Sequence, residues 1–256
     1  MAEATYPATG EERPEGAAVA ETNVEGRDYY VRFSPYHRLS HFVMMTTFIG
    51  CALTGPPLKY SYDFWAQAMM GFWGGVENAG LIHRVMAGFM VADFVIHVLY
   101  LGYHIGVKKA KIFGPDSIFF WKKDLTDALG MVKWFFDRGP RPRFERFTFW
   151  EKFDYWAVFW GIAMIGTSGF ALWFPTVTST LVSGIFLNVA RIIHGDEAIL
   201  AIGWILFVHL YNSHLRMNVF PMDPVIFTGR MPIEHVKHDK AAWYDRLVRE
   251  GKIKPE

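Results

Sequence analysis

Apolar positions in this chain gather in four long blocks instead of spreading through it. They cover 41–57 (HFVMMTTFIGCALTGPP), 79–107, 155–174 (YWAVFWGIAMIGTSGFALWF) and 185–215. Each suits a helix crossing a hydrocarbon layer of about 30 Å, which takes about 20 residues. The first block is short and extends back to Ser34, a good N-cap, with Pro35 fitting the first turn. The pattern predicts an all-α integral membrane protein, a multi-pass bundle of four transmembrane helices over 31–217. Residues 1–30 read as a disordered tail, since 1–27 are rich in Ala, Glu, Gly and Pro, with no basic start or apolar core of a signal peptide. Residues 218–256 read as a cytoplasmic C-terminal tail.

Charge orients the bundle. Residues 58–76 hold only Lys59 and Asp63, and 175–184 hold no charge. Lys and Arg concentrate in the loop 108–152 (Lys108, Lys109, Lys111, Lys122 and Lys123 among them) and after Leu215. The positive-inside rule then places that loop and both termini on the cytoplasmic side of a prokaryotic inner membrane. Within the loop, IFFWKKDLTDALGMVKWFFDRG mixes Phe and Trp with Lys and Asp, as an amphipathic helix on a membrane surface does. The net charge of +1 gives no field that would draw nucleic acid. Cys51 is the sole cysteine, which excludes an internal disulfide, a cysteine-held iron–sulfur cluster and covalent haem attachment through CxxCH.

The histidines carry the candidate chemistry. His83 and His97 stand 14 residues apart in the second block, His194 and His209 stand 15 apart in the fourth. On a helix such pairs are about 21–22 Å apart and within about 60° of one face. Two parallel helices carrying them could clamp two stacked, non-covalent b haems, making the chain an electron carrier across the membrane. His41, at the start of the first block, shares the inner level with His97 and His209. Arg38, Arg84 and Arg191 sit close to these histidines in sequence and could pair haem propionates. Gly50, Gly55, Gly88, Gly166 and Gly169 would let helices, or a flat macrocycle, approach closely.

Taken in order, HRLSHF around His41, ALTGPPLKY, GLIHRVMAG around His83, TSGFALWFP, RIIHGDEA around His194 and VHLYNSH around His209 resemble the gamma-type cytochrome b subunits of formate dehydrogenases and nickel–iron hydrogenases. The resemblance spans about 32–215. It implies a four-helix bundle with two b haems, passing electrons between quinone and an attached redox subunit. By that resemblance His83 and His194 bind the outer haem, and His41 and His209 the inner one. His97 departs from the pattern, because many gamma subunits carry an apolar residue there. Its spacing from His83 is similar to that of the bc-type and b6 cytochromes, which ligate from helices two and four only. Either His41 or His97 is therefore the second inner ligand.

Quinone chemistry needs groups that move protons at the carbonyl oxygens. Candidates for menaquinone or ubiquinone are His104, His214, Asn212 and Tyr211 on the inner side, and Asp196 and Glu197 on the outer side. Asp93, in mid-helix one turn before His97, could orient a ligand or relay protons. In relatives a polar residue at the start of the third helix helps hold the quinone. Here that stretch, FERFTFWEKFDYW, offers phenylalanines. The chain reads as the quinone-reactive subunit of an oxidoreductase complex rather than an enzyme alone. No iron–sulfur, molybdenum or c-haem motif is present, so a partner subunit of one of those kinds is expected. A haem-free membrane anchor or a proton or metal permease is the competing expectation, with Asp93 and the inner histidines lining a path.

Overall fold

The computed structural model describes residues 20–22, 28–217 and 219–254. Most of the tail expected over 1–30 lies outside the described residues. Its described parts pair as strands β1 (Ala20–Thr22) and β2 (Asp28–Val31).

Four helical rods follow. Helix α1 (Pro35–Lys59) begins as its sequence predicts, with Ser34 Oγ accepting from the His37 amide and Pro35 in the first turn. After a short α2 (Phe64–Phe72), α3 (Val76–Gly106) runs back antiparallel along α1. The third rod is composite: α5 (Phe149–Gly161), a π-helical turn at Ile162–Gly166, and α6 (Thr167–Trp173). After α7 (Pro175–Leu181), the fourth rod runs through α8 (Gly184–Trp204) and two π turns, Ile205–His209 and Tyr211–Leu215. Rod three packs on α8, α8 on α1, and α3 touches the first π turn, so the rods close into a four-helix bundle. Val76–Gly106, Phe149–Trp173 and Gly184–Leu215 are long and apolar enough to cross a membrane. Their surfaces stay largely open, as lipid-facing helices require.

The start of α5 has a local cause. Thr148 and Glu151 form a capping box: the Thr148 amide donates to Glu151 Oε2 at 2.8 Å and the Glu151 amide donates to Thr148 Oγ1. Helix α4 (Lys122–Phe135) precedes it with reversed polarity. Leu125, Leu129, Val132 and Phe135 form an exposed stripe, whereas Asp124 and Asp127 are buried. Asp124 accepts from Lys152 of α5 at 2.8 Å, with both side chains buried, which ties α4 to the foot of the bundle.

The C-terminal segment, expected from sequence as a tail over 218–256, carries its own elements among the described residues. Here α9 (Val225–Thr228), β3 (Arg230–Pro232), α10 (Ile233–Asp239) and α11 (Ala241–Arg249) pack with β2 into a small domain. Its core is Tyr30, Val225, Met231, Ile233, Val236, Trp243, Tyr244, Leu247 and Ile253. Residues from both sides of the bundle sequence supply this core, so neither stretch alone shows it. Burial of these aromatic and branched side chains drives the fold. Arg32 and Lys240 both grip Glu151, at 2.9 and 2.5 Å, and Arg246 grips Asp116 at 2.7 Å, so the domain is bolted to α5 and to the basic loop.

Candidate functional site: paired histidines inside the bundle

Two histidine pairs meet across the bundle. His83 of α3 and His194 of α8 have ring centroids 6.1 Å apart and planes at 78°. His41 of α1 and His209 at the end of a π turn have centroids 6.3 Å apart and planes at 32°. The second pair lies near the end of the bundle that carries the C-terminal domain, and the first near the opposite end. A helical rise of 1.5 Å per residue separates the two levels by about 20 Å.

The tautomers of three of these rings follow from their neighbours. His194 Nδ1 lies 2.9 Å from the Ile165 carbonyl oxygen, which can only accept, so Nδ1 carries the proton. The Ile165 carbonyl belongs to the first π turn, where the ladder is wider and carbonyls are released for other partners. His209 Nδ1 donates to the Asp154 carboxylate at 3.3 Å, and Trp204 Nε1 donates to the same carboxylate at 2.8 Å. His83 Nδ1 lies 3.0 Å from Thr54 Oγ1, whose own hydrogen goes to the Gly50 carbonyl at 2.7 Å, so Thr54 accepts from His83. In each ring Nε2 then keeps its lone pair. A metal-binding histidine needs this arrangement, with the far nitrogen fixed by a second hydrogen bond.

Glycines make room for the first pair. A Cβ on Gly169 would stand 2.8 Å from His194 Cε1, and one on Gly55 would stand 3.2 Å from His83 Cε1. Gly50 clears Met86 in the same way. Gly88 and Gly166 show no such close approach to a neighbouring helix.

His97 occupies a different place. Its Nδ1 is 3.2 Å from the Tyr36 hydroxyl and its Nε2 is 2.8 Å from the Tyr155 hydroxyl, so tyrosines engage both ring nitrogens. The remaining sequence candidates scatter. Arg38 donates to the Phe227 carbonyl at 2.7 Å, serving the C-terminal domain. Arg84 and Arg191 are exposed on α3 and α8. Asp93 accepts from Ser40 at 3.0 Å. His104 packs on Tyr100 with centroids 4.3 Å apart. His214 Nδ1 accepts from the Asp223 amide at 3.2 Å, and Asn212 donates to the Val208 carbonyl at 2.9 Å. Tyr211 is exposed. Asp196 is ion-paired with Lys59, and Glu197 accepts from Trp160 at 2.6 Å.

Sequence reasoning missed Thr54, Asp154, Tyr36 and Tyr155. Asp154 had a signal, as a carboxylate one residue before an apolar block is costly without a partner. Thr54 gave none.

The fold defines a helical bundle with three rods apolar enough to cross a membrane and two half-buried histidine pairs between its rods. No family model matches the chain. Among curated proteins it is similar to the cytochrome b556(fdo) subunit of formate dehydrogenase from Escherichia coli K12, 23% identical over 187 residues, 73% of this chain and 80% of that one. The same subunit from strains O6:H1 and O157:H7 matches equally. These relatives are of the kind that the sequence motifs resemble.

Proposed function

We propose that the protein is the membrane cytochrome b subunit of a respiratory oxidoreductase, holding two b haems and exchanging electrons between quinone and a partner redox subunit. The histidine geometry carries this reading. Bis-imidazole ligation puts each nitrogen about 2 Å from iron and each ring centroid about 1 Å further out, so the centroids stand about 6 Å apart. Both pairs match that span, at 6.1 and 6.3 Å. His83 with His194 would hold one haem and His41 with His209 the other. His97, engaged on both nitrogens by tyrosines, is not a ligand in this reading.

A bound haem supplies one-electron redox chemistry at each level. The chain itself does the rest. Thr54, the Ile165 carbonyl and Asp154 fix ring orientation and basicity, Gly55 and Gly169 keep the rings accessible, and the apolar rods exclude water. Arg84 and Arg191 remain available to propionates.

In this reading all four rods cross the membrane, α1 included. The basic loop and the C-terminal domain face the cytoplasm, with both termini, as the excess of Lys and Arg there favours. The exposed apolar stripe of α4 rests on the lipid surface. Arg246–Asp116 and Arg143–Asp245 tie the cytoplasmic loop to the C-terminal domain. The partner therefore docks at the opposite end, where Phe64, Phe72 and Leu181 are exposed.

A pyridine-haemochrome spectrum of the purified chain tests the reading. About two b haems per chain are expected, falling to about one in His41→Ala or His209→Ala and staying at two in His97→Phe. A haem-free chain would defeat the proposal.

A further inference from the structure

Helix α4 turns its apolar stripe outward, and cations line one edge of that stripe. By helical turn Lys122 and Lys133 lie within about 40° of Leu129, so they flank the stripe. After Phe135 the chain reverses. Asp137 takes a left-handed conformation with φ 53°, and the Arg138 amide donates to the Lys133 carbonyl at 2.8 Å. Lys123 Nζ donates to the Arg143 carbonyl at 2.8 Å, and a Cβ on Gly130 would stand 2.8 Å from Pro142 Cγ, so 138–143 lies back along α4. Lys123 and Arg143 are ion-paired with Asp127 and Asp245. Lys122, Lys133, Arg138 and Arg141 are exposed and have no ion-pair partner among the described residues. Asp137 is the single acid between 133 and 143.

Beside this edge the stripe opens into a hollow of about 380 Å³, walled by Ala128, Met131, Val132, Phe135 and Phe136 and by Phe149 at the start of α5. All six side chains are apolar, so water in the hollow would find no hydrogen-bond partner among them. Phe149 begins a line up rod three. Phe153 and Trp160 follow at steps of four and seven residues, which is one face of a helix, and both are at least half exposed. The hollow is therefore continuous with the surface that rod three turns to lipid in the membrane reading above. Hollow and edge together suit a molecule with an acyl tail and an anionic head. Ammonium and guanidinium groups hold phosphate oxygens through charge-assisted hydrogen bonds.

We propose that the hollow and its edge bind one anionic phospholipid of the leaflet facing the C-terminal domain. An acyl chain lies against Phe135, Phe136 and Phe149, and the phosphate sits between Lys133 and Arg138. The assignment rests on the membrane placement of the rods given above. It goes beyond a helix resting on lipid, because it names a single saturable site with headgroup selectivity. A helix held by its apolar stripe alone takes any lipid, since acyl chains are common to all of them. Selectivity for a net negative head comes from the four cations, which Asp137 offsets by one charge. The buried Lys152–Asp124 pair ties α4 to α5, so both walls of the hollow stand in place before a lipid arrives.

The test places the full-length protein in nanodiscs of phosphatidylethanolamine with a trace of phosphatidylglycerol or phosphatidylcholine that carries a photoreactive diazirine on its acyl chain. Label is mapped by mass spectrometry. The phosphatidylglycerol probe is expected in peptides covering 125–136 and Phe149, displaced by unlabelled phosphatidylglycerol and not by phosphatidylcholine. Lys133→Gln and Arg138→Gln should each raise the phosphatidylglycerol needed for displacement about five-fold, the worth of one cation near an anionic surface, with labelling of 76–106 unchanged. Equal labelling of 125–136 by both probes overturns the site and leaves α4 on bulk lipid. A second copy of the chain seated on the stripe would keep both probes out. An unlabelled 125–136 beside labelled 76–106 and 184–215 thus also overturns the site, while the membrane placement stands. Label absent from those rods overturns the placement itself. The wild-type pattern decides the site without either variant.

Discussion

At the scale of single residues, the acceptor on the far side of an imidazole sets its tautomer and its basicity. Asp154 gives His209 a charged acceptor, whereas Thr54 and the Ile165 carbonyl give His83 and His194 neutral ones. A carboxylate acceptor makes the ring a stronger donor and favours oxidised iron. Asp154→Asn should therefore raise the midpoint potential of one haem and leave the other in place, as a potentiometric titration would resolve. An unchanged pair of potentials would mean that Asp154 serves only Trp204. The residue scale also shows what the sequence could carry. Two helical spacings at matched depth singled out His83 with His97 and His194 with His209, whereas His41 was pointed to only by its level and its motif. His97 was ambiguous because its spacing is that of a ligand. Its tyrosines lie 61 residues before it and 58 after it, on other helices, where no periodicity points.

At the scale of elements, small residues and π turns bring the rods to the histidines. The two glycine clearances differ, 2.8 Å at Gly169 and 3.2 Å at Gly55. The order of damage follows from them. Gly169→Ala should cost most of the haem at the His83–His194 level, and Gly55→Ala only part of it, with haem per chain and absorbance as the measures. Equal retention in both would show that the rings shift freely. Helices as such were legible, since three rods have lengths and hydropathy that stand out unaided. The π turns were not, because IAMIG and ILFVH carry no residue that distinguishes them from ordinary α-helix. Helix α4 was legible through its mixture of Phe, Trp, Lys and Asp, and the structure shows its apolar stripe pointing outward.

At the scale of the whole molecule, the C-terminal domain clamps the bundle through Arg32, Glu151 and Lys240. Arg32 and Lys240 are buried, whereas Glu151 keeps 31% exposure. Removing the shared anion should cost about 2–3 kcal/mol, short of the about 3–5 of a fully buried pair because solvent still reaches the carboxylate. Glu151→Gln should accordingly release the domain to limited proteolysis while both haems stay. Burial also pushes the Lys240 ammonium down from 10.5 to about 8, against the pull of Glu151. Between those values the unfolded segment binds more protons than the folded one, so the Lys240 contribution rises with pH across that window. Protection of the domain from protease should increase from pH 8 to 10, and a decrease would contradict the assignment. This domain was the least legible part of the fold. Tyr30 joins a core whose other members lie beyond 224, and only the Trp243, Tyr244 and Leu247 face of α11 hinted at it.

The π turn at Ile162–Gly166 has a consequence for how chains of this kind can change length. Such a turn holds one residue more than an α-helix needs for its i→i+4 ladder, so losing one residue there would restore an unbroken helix. The shortened rod would remain as oily and nearly as long, and a hydropathy profile would not register the loss. The segments on either side would keep nearly the facing they have now, because the turn absorbs its extra residue locally. Gly169 would stay against His194, whereas the Ile165 carbonyl would return to the helix ladder and leave His194 Nδ1 without its acceptor. In an evolving lineage a one-residue deletion at this point is thus silent to the lipid and felt only at the imidazole.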